Sequence, residues 1–193
     1  MVQRIIIIQG HPDPAGDRFC HALADAYAAG AEAAGREVKR IDVAKLEFPL
    51  LRTQADFEKG PPPPSVTAAQ EAIRWAEHLV IVYPLWLGMM PALLKGFLEQ
   101  VFRPGFAHRT DARGWEALLR GRSARIVVTM GMPALVYRWY FGAHGLKSLE
   151  RSILAFVGIK PTRETLIGMV GSLNERKSKV WLEKLQALGA SGQ

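Results

Sequence analysis

Three short stretches of this 193-residue chain hold the residue types that could bind or move charge. The first is Gly10-His11-Pro12-Asp13-Pro14-Ala15-Gly16-Asp17-Arg18, running into Phe19-Cys20. A helix predicted to open at Phe19, with Asp17 as its N-cap, presents free N–H groups and a dipole suited to a phosphate. His11 and Arg18 stand where they could add hydrogen bonds or charge. The second is Pro84-Leu85-Trp86-Leu87-Gly88-Met89-Met90-Pro91, a large apolar loop at a position that predicts solvent. It reads either as a covered or dimeric surface or as a platform for a flat, mostly apolar ligand. On the second reading Gly88 lets the backbone approach, and the N–H groups of residues 85 to 88 bond a heterocycle's edge. The third is Met130-Gly131-Met132-Pro133 with the aromatic run Tyr137 to Phe141 and Gly142-Ala143-His144-Gly145. Tyr137 and His144 are its proton-capable groups. An anion site, a flat apolar platform and two such groups fit a bound flavin, which carries the redox chemistry itself while the protein orients it.

Other chemistries find no pattern. There is neither a G-x-x-x-x-G-K-[ST] nor a G-x-G-x-x-G run, so a P-loop and a dinucleotide fingerprint are disfavoured. The five histidines are scattered, with no H-E-x-x-H and no cysteine pair, so no metal site is expected. No G-x-S-x-G occurs, and Cys20, the one cysteine, reads as a small buried apolar residue. It allows no internal disulfide, and with no signal-peptide pattern at Met1 the expected compartment is the cytoplasm. Leu79 to Leu94 is uncharged but short and broken by Pro84, Gly88 and Pro91, so no membrane insertion is expected. The net charge of +7 favours anionic ligands, and no motif points to nucleic acid.

The elements that must position these stretches alternate. Arg4 to Gln9 is a continuous β-branched run, as is Leu79 to Tyr83; both read as strands buried on two faces. Glu37 to Asp42, Ala124 to Met130 and about Thr165 to Met169 complete five strands. Helices are expected over Phe19 to Ala34, from a capping box at Thr67–Gln70 to about Glu77, over Pro91 to Phe102, over about Leu146 to Val157, and from a capping box at Ser172–Glu175 onward. The Pro61–Pro64 run is expected outside any helix. Residues 103–122 read as loop, with a short helical turn at Trp115–Leu119. The expectation is a single α/β domain over residues 1–193, a doubly wound parallel sheet in the flavodoxin-like order 2-1-3-4-5. In that order the ligand sits past the carboxyl ends of strands one and three, where all three stretches fall.

Gly10-His11-Pro12, the run Pro84-Leu-Trp86-Leu-Gly88-Met-Met-Pro91-Ala-Leu-Leu-Lys95-Gly96-Phe97 and Glu99-Gln-Val-Phe102-Arg-Pro-Gly-Phe106 resemble the NAD(P)H:quinone oxidoreductase family. The resemblance implies a homodimer with tightly bound FAD or FMN. It implies hydride transfer from NAD(P)H to the flavin and then, by a ping-pong route, to a quinone or similar acceptor. It also implies cofactor contacts from His11, from Arg18, Phe19 and Cys20 in place of the family's Ser-Phe-Asn, and from Pro84, Leu85, Trp86, Leu87 and Gly88. Thr129, Met130, Gly131 and Met132 stand in place of its Thr-Thr-Gly-Gly turn, and Tyr137 and His144 match the pair that assists hydride transfer. The same family holds ancillary subunits of potassium-efflux systems, so a flavin-binding regulatory subunit docked on a membrane transporter is the alternative.

Overall fold

A computed structural model describes residues 2–112 and 114–193. Five parallel strands form one sheet: β1 (Arg4–Gln9), β2 (Glu37–Asp42), β3 (His78–Pro84), β6 (Ser123–Thr129) and β7 (Thr162–Ile167), in the order β2-β1-β3-β6-β7. Taken as the sheet's own five strands, this is the expected 2-1-3-4-5 topology. The helices are α1 (Phe19–Ala33), α2 (Gln54–Glu58), α3 (Pro64–Trp75), α4 (Ala92–Val101), α5 (His144–Lys147) and α6 (Glu175–Ser191). Among the described residues no helix is long and apolar enough to cross a membrane.

The continuous apolar runs follow from burial on both faces. Ile6, Ile8, Leu79, Ile81, Tyr83, Ile126 and Val128 face α3 and α4 in one core. Ile5, Ile7, Val80, Val82 and Val127 face α1 and α6 in the other. Leu94, Phe97, Leu98 and Val101 of α4 are buried, as their spacing predicts. On the opposite face α1 and α6 touch backbone to backbone, at Gly30 and Gly189.

The structure corrects several expectations. Helix α3 begins at Pro64, three residues before the Thr67 box, so the last proline of the run lies inside it. Proline suits a first helical turn, whose N–H groups lack intrahelical acceptors anyway. Thr67 instead returns its hydroxyl to the Pro63 carbonyl, at 3.3 Å. Arg18, not Asp17, is the N-cap of α1, and Asn174 caps α6, its Oδ1 accepting from the Lys177 N–H at 2.9 Å. Strand β7 starts at Thr162 because its opening Thr-Arg-Glu is an exposed, polar edge that hides the strand pattern. The chain from His144 widens from α-helical into π-helical turns over Ser148–Leu154. Residues 103–122 are not loop throughout: β4 (His108–Asp111) and β5 (Gly114–Ala117) pair as an antiparallel hairpin. Four-residue strands carry too little alternation to be read. Tertiary packing holds them, with Trp115 and His108 against Phe156 at centroid separations of 4.8 and 5.3 Å.

Candidate functional site

Strands β1, β3 and β6 end together. Gln9 pairs with Val82, and Pro84 with Thr129. Loops 10–18, 85–91 and 130–143 therefore leave from one edge, and they are stitched there. The Gly10 N–H donates to the Val82 carbonyl and the Leu85 N–H to the Thr129 carbonyl, both at 2.7 Å. Cys20 Sγ meets Thr129 Oγ1 at 3.1 Å in the interior, tying the start of α1 to the end of β6. Burial pushes the Cys20 thiol up to about 11, so it is a protonated strut and not a nucleophile.

The second loop is a tight hairpin turn. Trp86 and Met89 exchange both backbone hydrogen bonds at 2.9 Å, and the two residues between them, Leu87 (φ 49°) and Gly88 (φ 79°), are left-handed. This is a type I′ turn, and leucine is a costly residue for its first central position. A left-handed leucine stores on the order of 1–2 kcal/mol, yet its side chain is wholly exposed and packs on nothing that would offset the strain. The Thr129 carbonyl takes the Leu85 N–H, and the turn takes that of Trp86. Among the described residues those of Leu87 and Gly88 keep no partner. The expected row of four free donors is thus a pair, held side by side. Trp86 is half exposed, whereas Met90 is buried in the core and adds nothing to the surface.

Two residues hold this turn from beneath. Tyr137 is buried in the π-helical turn Val136–Tyr140. Its hydroxyl accepts from the Leu146 N–H at 3.1 Å and donates to the Gly88 carbonyl at 3.4 Å, and burial raises its pKa, keeping it neutral. Gly145, at the start of α5, lies so close that a Cβ there would fall 2.2 Å from the same carbonyl oxygen. His144 is exposed, its ring folded back over Gly142. Among the described residues no hydrogen bond joins Tyr137 to His144. Sequence reasoning missed Gly145; nothing in a G-x-x-G spacing reveals what the second glycine touches.

The first loop braces itself. Asp13 Oδ1 accepts from the Ala15 N–H at 2.9 Å, and Arg18 bridges Asp13 (2.7 Å) and Asp17 (3.2 Å). Arg18 is therefore paired twice and brings no free charge to an anion. His11 Nδ1 accepts from the Asp13 N–H at 3.1 Å, so its proton sits on Nε2. Burial, then the neighbouring His21, lowers the His11 pKa. It offers a hydrogen bond at neutral pH, not a charge. Its ring stands edge-on to Trp86, centroids 6.2 Å apart, which joins the first loop to the second. The first N–H groups of α1, on Phe19 and Cys20, find no acceptor among the described residues. In the third loop Met130 points into the core, Met132 is partly buried against it, and Gly131 faces open space.

The sequence profile of the flavodoxin-like fold family matches residues 3–188. The chain belongs to that family. Its relatives there are NAD(P)H oxidoreductases and quinone reductases. It is 25% identical to an uncharacterized NAD(P)H oxidoreductase of Haemophilus influenzae, over 92% of this chain and 90% of the relative. It is 26% identical to a ribosyldihydronicotinamide dehydrogenase-like protein of Penicillium crustosum, over 78% of this chain but 64% of that protein's length. Among solved structures, the NAD(P)H:quinone oxidoreductase of Methanothermobacter marburgensis shares the fold at a TM-score of 0.81, with 21% identity and full coverage of both chains.

For a flavodoxin-like chain the switch point between β1 and β3 is the ligand edge, and here it is furnished. It offers a directed pair of N–H donors on a strained turn, a half-exposed indole, a neutral imidazole N–H and an unsatisfied helix start. Such a set suits a planar, hydrogen-bond-accepting ring with an attached phosphate.

Proposed function

We propose that this chain is a flavin-dependent NAD(P)H:quinone oxidoreductase. The observation that carries the reading is the type I′ turn at residues 86–89, with its two unpartnered N–H groups at the switch point. The donor set fits a flavin. Leu87 and Gly88 would bond the ring's edge, Trp86 and Gly131 would border it, and His11 Nε2–H with the N–H groups of Phe19 and Cys20 would meet its phosphate. Arg18 braces that loop through Asp13 and Asp17 and does not contact phosphate by charge. Pro84, Leu85 and Thr129 set the loops' departure from the sheet, and Met130 and Met132 support them from the core.

A bound flavin supplies two-electron chemistry, taking a hydride from NAD(P)H and passing it to a quinone in a second, ping-pong half-reaction. The chain's part is orientation and proton handling. Tyr137 holds the turn through the Gly88 carbonyl and is a positioning residue. His144, exposed with its ring beside Gly142, is the residue to which we assign proton transfer. His144→Gln is expected to slow reduction of the bound flavin roughly tenfold, about 1.4 kcal/mol of barrier. Tyr137→Phe is expected to weaken flavin binding and lower the melting temperature, since it leaves the buried Leu146 N–H unpaired. Stopped-flow reduction beside a binding titration separates the two; unaltered reduction in His144→Gln removes that assignment.

Leu135, Val136, Trp139, Tyr140 and Phe141 of the third loop and Trp86, Leu87 and Met89 of the second are large apolar residues left exposed. This surplus supports a homodimer whose contact borders the site. A dimeric mass by light scattering at micromolar concentration is the expected result, and a monomeric one contradicts it. A cytoplasmic setting, which supplies NAD(P)H and keeps Cys20 reduced, fits this activity. The test of function is an absorption spectrum after incubation with FMN and FAD and desalting, followed by anaerobic NADPH. Flavin bands that bleach establish the reductase; a colourless protein overturns it.

A further inference from the structure

The third loop is shaped so that aromatic side chains point out of the fold. In the π-helical turn Val136–Tyr140, Tyr137 alone is buried. Just past the turn, Gly142 (φ 65°) and Ala143 (φ 48°) are left-handed, and the Ala143 N–H returns to the Tyr137 carbonyl at 3.0 Å. Ala143 is buried, so its strained backbone is held by the packing around it. The reversal leaves Trp139, Tyr140 and Phe141 outside, at 78%, 82% and 50% exposure. Tyr140 and Phe141 meet edge to face, centroids 5.0 Å apart.

A basic groove opens beside them. Trp139 and Gly142 line a cavity of about 660 Å³ together with Arg138, Lys147, Arg151 and Arg163. Its carboxylates are Glu150 and Glu164. Arg138 is paired with Glu164, and Arg163 donates to the Gln193 side-chain carbonyl. Lys147 and Arg151, four residues apart, are exposed, and among the described residues neither has a carboxylate partner. Exposed rings next to unpaired cations are the chemistry of a lipid-surface contact. Trp and Tyr favour the membrane–water interface, where the ring is seated among apolar groups and its polar tip stays wet. Lys and Arg beside them meet the phosphates of anionic lipid. The net charge of +7 has the sign that attracts such a surface. A polyanion such as nucleic acid answers the cations but leaves the exposed Leu135 and Phe141 in water.

We propose that this tip docks the chain on the surface of an anionic bilayer, Trp139, Tyr140 and Phe141 entering the headgroup layer and Lys147 and Arg151 meeting lipid phosphates. The proposal goes beyond the reductase reading and stands without it. It needs no membrane-spanning segment. A dimer contact on Trp86, Leu87 and Met89 leaves the tip outward; one that covers the tip forbids docking.

The test is flotation of the full chain with vesicles of phosphatidylcholine alone and of phosphatidylcholine with about one third phosphatidylglycerol. The variants are Trp139→Ala with Tyr140→Ala, and Lys147→Glu with Arg151→Glu; thermal melts equal to the wild type's show that both are folded. Binding to the anionic vesicles is expected to be at least about tenfold stronger than to the neutral ones and to weaken as salt rises. Each double variant is expected to lose at least about tenfold of it. No binding to anionic vesicles overturns the proposal. Binding that the aromatic double variant keeps in full also overturns it, since that is adsorption by net charge alone. A complex with single-stranded DNA that is tighter than the vesicle complex and depends on Lys147 and Arg151 overturns it in favour of a polyanion.

Discussion

Gly145→Ala is expected to raise the flavin dissociation constant at least about tenfold while the sheet stays folded. The added Cβ would stand 2.2 Å from the Gly88 carbonyl oxygen, 2.9 Å from Met89 Sδ and 3.0 Å from Met89 Cα. The sulfur can swing away; the two backbone atoms cannot. Ordinary contact requires about 3.5 Å, so the turn or α5 must retreat by about 1 Å. The retreat carries with it the N–H groups of Leu87 and Gly88, the only donors proposed for the ring's edge, and a misplacement of about 1 Å can cost 100-fold in a positioned site. Stability falls less, because about 1–3 kcal/mol of overpacking is partly offset by alanine's helix propensity, worth up to about 1 kcal/mol. Fluorescence titration gives the affinity and a thermal melt the stability. An unchanged affinity beside a lowered melting temperature would show that the 86–89 turn does not touch the flavin, and the site assignment would fail.

Gly30→Ala should do the reverse, costing stability and sparing the cofactor. Its Cβ would fall 1.9 Å from the Gln186 carbonyl oxygen on α6, and a Cβ at Gly189 would fall 2.0 Å from the Tyr27 carbonyl oxygen on α1. Each helix thus lays a glycine against the other's backbone. In an isolated helix the substitution gains about 1 kcal/mol. Here no rotamer can relieve the clash, so the helices must separate along a seam that covers Ile5, Ile7, Val80 and Val82. Overpacking of this kind, at the upper end of its range, costs about 3 kcal/mol, which for a chain of this size lowers the melting temperature by roughly 6–12 °C. The flavin affinity should hold, because Gly30 lies roughly 16 Å along α1 from the N–H groups at its start. A melting temperature equal to the wild type's would mean that the two helices are not in backbone contact.

The parts of this architecture that could be read in advance share one property: a local signal strong enough to stand alone. RIIIIQ and LVIVYP are short β-branched runs, and only a two-face-buried strand explains them. Leu94, Phe97, Leu98 and Val101 mark a helix by spacing alone. The hairpin at 108–117 had no such signal, because its four-residue strands take their stability from Phe156, forty residues away. The Thr67 and Ser172 boxes misled for a related reason, since a capping pattern states what a residue can do and not which of several adjacent sites wins.

The sequence by itself determined the strand order and the sheet edge at which the three loops converge, because burial on two faces and helix periodicity are written residue by residue. Only the tertiary structure decided which atoms remain available there. Arg18 is spent on Asp13 and Asp17, the Leu85 N–H on the Thr129 carbonyl, the Trp86 N–H on the turn, and Tyr137 on holding Gly88. Hydrogen-bonding capacity belongs to a residue, but whether it is free depends on neighbours distant in the chain, and the folded packing alone assigns those.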